Sequence, residues 1–181
     1  GIAHEEVPVD LAGGEHKSPE FLAMNPNGQV PVLQDGDVTV SDSNAILVYL
    51  ARTYAPDWMP STPIDEANVQ RWLTLAAGEV AFGSCAARLI TVFGAPLDVD
   101  FADATATKAM QKLEHGLEGR DWLVGDRPTI ADVANYSYTA HAPEGNVSLD
   151  PYPNVRAWLT RFEALPGFQA MPATAVGLAA E

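Results

Sequence analysis

Two short stretches carry residues that could together hold a small zwitterionic peptide. The first is Asn25-Pro26-Asn27-Gly28-Gln29-Val30-Pro31-Val32-Leu33, a glycine turn between prolines that runs into a short apolar strand. A proline at the junction of turn and strand removes one ladder donor and makes a cis Val30-Pro31 bond accessible. The N–H and C=O of Val30 would then face out of the sheet, where an extended peptide can pair with them as an added strand does. The second stretch is Ser41-Asp42-Ser43, directly ahead of Asn44-Ala45-Ile46-Leu47-Val48-Tyr49-Leu50-Ala51. Its period predicts a helix, with Asp42 and Ser43 at or next to the N-cap. Free N–H groups and the positive end of the helix dipole favour a carboxylate there, which the Ser43 hydroxyl can also bond. Asp42 suits a neighbouring ammonium. The pair reads as a receptor for one α-amino, α-carboxylate group beside a peptide-pairing backbone.

That combination resembles the glutathione-binding site of the glutathione S-transferase superfamily, in its bacterial, theta- or beta-like form. In that family an N-P-x-G-x-V-P-x-L turn carries the cis-proline, and an acidic residue followed by Ser holds the γ-glutamyl end of glutathione. The matching positions here are Val30, Pro31, Asp42 and Ser43. Gly14-Glu15-His16 looks like the family's Gly-Gln-His segment, which implies that His16 approaches the glycyl carboxylate. Gln29 stands where the family often has Lys, so its contact with glutathione would be a neutral hydrogen bond.

The elements that must position these residues follow from caps and breakers. Ile2 to Val9 alternates roughly and reads as a strand. Ser18 as N-cap with Pro19 at the first helical position predicts a short helix ending near Asn25. Val32 to Gln34 and Val38 to Val40 flank Asp35-Gly36-Asp37 as a hairpin, and a helix from about Asn44 to Tyr54 closes this half. The order fits the α/β thioredoxin-like domain of the transferases. By that resemblance the domain opens with a further strand and helix, expected ahead of Gly1, and those bear the Tyr, Ser or Cys that activates the thiol. The catalytic residue is therefore unknown among the residues given. The expected domains are 1–55, thioredoxin-like and truncated at its start, a linker at 56–64 stiffened by Pro56, Pro60 and Pro63, and an all-helical domain at 65–181.

In the helical half, Asp65 to about Phe93 reads as one long helix, within which Gly78 and Gly83 each cost roughly 1 kcal/mol against Ala. Such residues predict close approach by another helix or a ligand. Asp98 to about Leu117 forms the next helix. Thr129-Ile130-Ala131-Asp132 reads as a variant capping box opening a helix to His141, and another helix starts at Pro153.

Composition excludes several partners. The 181 residues suffice for one large or two small domains with a real core. A net charge of −14, from 24 acidic and 10 basic residues, makes nucleic acids and anionic membranes poor partners. No run of about 18 apolar residues occurs and no signal peptide is evident, which predicts a cytoplasmic protein. The lone Cys85 excludes an internal disulfide. It reads as a buried inert thiol, or as one exchanging with glutathione if exposed beside Arg88. His4, His16, His115 and His141 lack metal-ligand spacing, so no metal is expected. Trp72, Phe82, Tyr136 and Tyr138 fall on helices, where they either pack in the core or face a hydrophobic substrate.

The resemblance implies a homodimeric transferase that conjugates the glutathione thiolate, as co-substrate, to an electrophilic hydrophobic small molecule. Glutathione-dependent isomerisation, dehalogenation or disulfide reduction would share the site. The alternative of a non-enzymatic binding protein has no need of the Val30-Pro31 and Asp42-Ser43 elements. A thioredoxin-type oxidoreductase would need a C-x-x-C pair, which the chain lacks.

Overall fold

The structure, a computed structural model, describes residues 2–180. Contacts divide the chain into two compact units, Gly1–Pro56 and Asp57–Glu181.

In the first unit, α1 (Pro19–Met24) starts where Ser18 accepts a hydrogen bond from the Phe21 N–H. The hairpin strands β1 (Val32–Asp35) and β2 (Val38–Ser41) pair antiparallel with Val32 opposite Ser41 and Asp35 opposite Val38. Helix α2 (Ser43–Tyr54) follows, and its tyrosines return to the hairpin, where Tyr49 (2.7 Å) and Tyr54 both donate to Asp35 Oδ2. Those two donors hold the Asp35 carboxyl below its ordinary range. The strand expected over Ile2 to Val9 does not form, and the sheet has two strands among the described residues. Alternation alone does not make a strand. Its backbone groups need a ladder partner, and residues 2–8 are exposed with none.

The second unit is helical. After a 3₁₀ turn at Pro56–Trp58, α3 (Pro63–Leu75) starts inside the segment read as linker, with Thr62 as its N-cap. It continues through a π-helical segment, Ala76–Cys85, into α4 (Ala86–Phe93). This 31-residue helix is long and apolar enough to cross a membrane. Val69, Trp72, Leu73 and Val80 of this helix are buried in the core of the unit, whereas Phe82 and Phe93 are exposed. The two glycines differ. A Cβ at Gly83 would lie 2.4 Å from the Ala106 N of α5 (Val99–Gly116), so close helix approach requires glycine there, whereas nothing lies within 4 Å at Gly78.

Helix α6 (Ile130–Ala140) opens with a complete capping box between Thr129 and Asp132. Asp132, fully buried, also accepts from Leu123 N (3.0 Å) and Trp158 Nε1 (2.9 Å), the latter on α7 (Pro153–Glu163). Burial raises its carboxyl pKa, and these donors oppose the shift.

Candidate functional site

A cavity of 670 Å³ opens in the first unit, within the range of small-ligand sites. Its wall brings together all six residues singled out from the sequence: His16, Gln29, Val30, Pro31, Asp42 and Ser43. Each arrives by a local rule. Gly14, at φ 80°, turns the chain into the short 3₁₀ helix Glu15–Lys17 that carries His16. The His16 ring is half-buried, and its Nδ1 is closed to solvent without a hydrogen-bond partner.

Asn25, buried at 3% exposure, builds the turn that presents Gln29 and Val30. Its Nδ2 donates to Gln29 O (2.7 Å) and its Oδ1 accepts from Asn27 N (3.1 Å). Lys17 Nζ caps the same turn at Gly28 O (3.1 Å). Gly28 is obligatory on two counts, since its φ is +59° and a Cβ would sit 2.8 Å from His16 O. The Val30–Pro31 bond is cis. Val30 is exposed, and its N–H and C=O have no partner among the described residues.

Asp42 is the N-cap of α2, at φ 78°, and its Oδ1 accepts from Ala45 N at 2.9 Å. The cap occupies one carboxylate oxygen, and Asp42 also lines the cavity. Ser43 is exposed in the first turn, where N–H groups have no intrahelical acceptor. Cavity and helix start thus combine acceptor, donor and peptide-pairing groups.

Family models match along most of the chain: "Glutathione S-transferase, N-terminal domain" over residues 1–52 and "Glutathione S-transferase, C-terminal domain" over 97–166. The chain belongs to the glutathione S-transferase superfamily. A probable glutathione S-transferase of Oryza sativa subsp. japonica is 37% identical over 93% of this chain and 84% of its own length. Among solved structures, a glutathione S-transferase from Pseudomonas fluorescens superposes with a TM-score of 0.82 at 33% identity, covering 87% of this chain and 81% of that one. A glutathione transferase homologue from Drosophila mojavensis, solved with bound glutathione, gives 0.76 at 29% identity, covering 88% and 75%. The fold is accordingly the glutathione S-transferase fold, a small α/β unit with a two-stranded sheet and a helical unit.

Sequence reading missed Leu11, Asn25, Asn27 and Ser41 in the transferase cavity wall. The Asn-Pro-Asn-Gly run held the signal for Asn25, because an Asn side chain readily closes a turn onto nearby backbone. A smaller cavity of 370 Å³ lies in the helical unit, where Arg71 and Arg120 share the wall with Asp65 and Glu118. Its charges offset one another, and none of the orphan buried polar atoms belongs to its wall.

Three other candidates resolve differently. Cys85 is half-buried, and burial pushes its thiol pKa up against the opposing effects of Tyr138 and Arg88, which disfavours the thiolate. His141 caps the end of α6 and meets Glu144 Oε1 at 2.5 Å. Trp72 and Tyr136 are core residues, whereas Phe82 and Tyr138 are exposed.

Proposed function

We propose that the protein conjugates the thiolate of glutathione to hydrophobic electrophiles, as a cytoplasmic homodimer. Glutathione pairs its cysteinyl backbone with Val30 beside Pro31. Its γ-glutamyl group lies at Asp42 and Ser43, and its glycyl carboxylate lies toward His16 and Gln29. Bound glutathione, its thiol proton released to solvent, attacks the electrophilic carbon, so that an S–C bond forms as the bond from that carbon to its leaving group breaks and the leaving group departs with the bonding pair. The observation that carries this reading is the 670 Å³ cavity, whose wall gathers the peptide-pairing Val30 with Asp42, Ser43 and His16. The relatives solved with glutathione and with lactoylglutathione support it, the latter at 33% identity and a TM-score of 0.75 over 90% of this chain and 83% of that one.

Calorimetric titration with glutathione tests it through Asp42→Asn. Asn caps a helix about as well as Asp, so the start of α2 survives and only the charge is lost. The variant is expected to bind glutathione about 10- to 100-fold more weakly, as for a hydrogen bond between charged groups worth about 1.5 to 3 kcal/mol. An unchanged dissociation constant removes Asp42 from the site.

A further inference from the structure

The 370 Å³ cavity of the second unit is lined by charges of both signs, and the two signs do not pair with each other. In a chain where acidic residues outnumber basic ones 24 to 10, a cation readily finds an acid. Lys112 meets Glu79, Arg127 meets Asp57 (3.2 Å) and Arg161 meets Asp121 (3.4 Å). Arg88 is the extreme case. Its Nε donates at 2.7 Å to the buried Glu144, whose carboxyl burial raises but His141, the Thr174 N–H and Arg88 together hold down at about 2. Arg71 and Arg120, both in the cavity wall, form no ion pair among the described residues. The acids beside them are engaged locally instead. Asp65 Oδ2 accepts from the Thr62 hydroxyl at 2.6 Å at the start of α3, and Glu118 lies 3.5 Å from His115 Nδ1. Two guanidinium forks are left without a countercharge in one polar wall.

The fold positions both of them. Asp65, Asn68 and Arg71 recur at a spacing of three and lie along one side of α3. The Arg71 guanidinium rests over the Trp72 ring, 4.7 Å from its centre. That ring is buried and locked, because its Nε1 donates to Leu123 O at 3.1 Å and a Cβ at Gly116 would fall 2.3 Å from its Cη2. Leu123 and Gly116 are themselves wall residues, so the support under Arg71 is part of the cavity. Gly119, at φ 67°, turns the chain after α5, and the Arg120 N–H closes that turn onto Leu117 O at 3.0 Å. Groups ordered before a ligand arrives lose less freedom on binding it.

We propose that this cavity binds the phosphate monoester of a small polyol, with Arg71 and Arg120 donating to the phosphoryl oxygens and Asp65, Asn68 and Glu118 accepting from the polyol hydroxyls. A phosphate monoester carries nearly two negative charges at neutral pH, which matches two guanidiniums, and its oxygens suit the paired N–H groups of each fork. A monocarboxylate satisfies one fork and leaves the other empty. The two wall carboxylates repel a bare inorganic anion, whereas hydroxyls on the esterified group can donate to them, so the ester is favoured over the free ion. Every residue that carries the inference lies in the second unit, and no bond forms or breaks, so it stands apart from the transferase reading.

Calorimetric titration of glycerol 3-phosphate into the protein tests it, at low ionic strength, where exposed charges are least screened. The unmodified protein is compared with Arg71→Gln, Arg120→Gln and, as a control for net charge, Arg156→Gln, an exposed residue of α7 that does not line the cavity. Arg71 and Arg120 are exposed and outside any ion pair, so both variants are expected to fold and to keep the melting temperature. Each should weaken binding about tenfold, as for one hydrogen bond to a charged group, and the control should change it by less than about twofold. Binding is expected to survive saturating glutathione. No binding of glycerol 3-phosphate by the unmodified protein at millimolar concentration, or equal losses in all three variants, overturns the inference. Displacement by glutathione also overturns it, by assigning the anion to the cavity of the first unit. Inorganic phosphate bound as tightly as the ester would reduce the cavity to a bare anion site and overturn the polyol assignment.

Discussion

Asn25 in the first unit and Asp132 in the second are both buried polar side chains that tie backbone segments together, yet their surroundings differ. Asp132 is surrounded by donors, with Thr129 N, Thr129 Oγ1, Leu123 N and Trp158 Nε1 all within 3.2 Å. Its neighbourhood is closed and architectural. Asn25 also fixes a turn, but the turn it builds leaves Val30 open and lines a cavity together with His16. Orphan polar atoms alone do not mark a site. Ser84 Oγ, Asn135 Oδ1 and Thr139 Oγ1 are also buried without partners, and neither cavity is lined by them. The informative case is a cavity lined together with open backbone groups, as at Val30.

The comparison can be broken first at Asp132. Asp132→Ala strands three buried N–H donors and a hydroxyl, and at about 1 to 3 kcal/mol for each unsatisfied group the variant should lose at least about 4 kcal/mol in urea unfolding. A loss under about 1 kcal/mol would show that Asp132 is not the centre of the helical unit. Glu144→Gln comes next and should cost about 3 kcal/mol at neutral pH, because the largely buried Arg88 is left without its countercharge. The pH dependence has a definite sign. The Glu144 carboxyl falls from its ordinary 4.5 to about 2 on folding, so its contribution is complete above about pH 4.5 and disappears as pH falls toward 2. Unfolding curves of the two proteins should therefore converge over that window, and a constant gap would assign the loss to something other than the charge.

Asn25→Ala is expected to have the smallest effect on stability, about 1 to 2 kcal/mol for one buried hydrogen-bonded side chain. Its effect on glutathione should be disproportionate, about tenfold in affinity, since the Gln29-Val30 segment loses its support. Thermal melts and titration on the same preparation check both parts. A stability loss with unaltered glutathione affinity would make Asn25 as purely architectural as Asp132.

The sequence by itself determined the features that depend on neighbours a few residues apart. Ser18 and Pro19 start α1, Thr129 and Asp132 close a capping box, Asp42 opens α2, and the Asn25 to Leu33 run turns with a cis Val30–Pro31 bond. All of these are short-range hydrogen bonds and dihedral preferences, so Val30, Pro31, Asp42 and Ser43 were legible before any tertiary contact was known, whereas His16 and Gln29 were singled out by the family resemblance. Tertiary structure alone decided what depends on distant segments. Ile2 to Val9 has the alternation of a strand but no ladder partner. Gly83 meets α5 while Gly78 meets nothing, although the two glycines look alike in sequence. Trp72 and Tyr136 went to the core and Phe82 and Tyr138 to the surface, and Glu144, 56 positions from Arg88, was drawn beneath it. Helical periodicity fixes which residues share a face. Which face meets another segment is set by packing between parts of the chain far apart in sequence, and no local pattern encodes that.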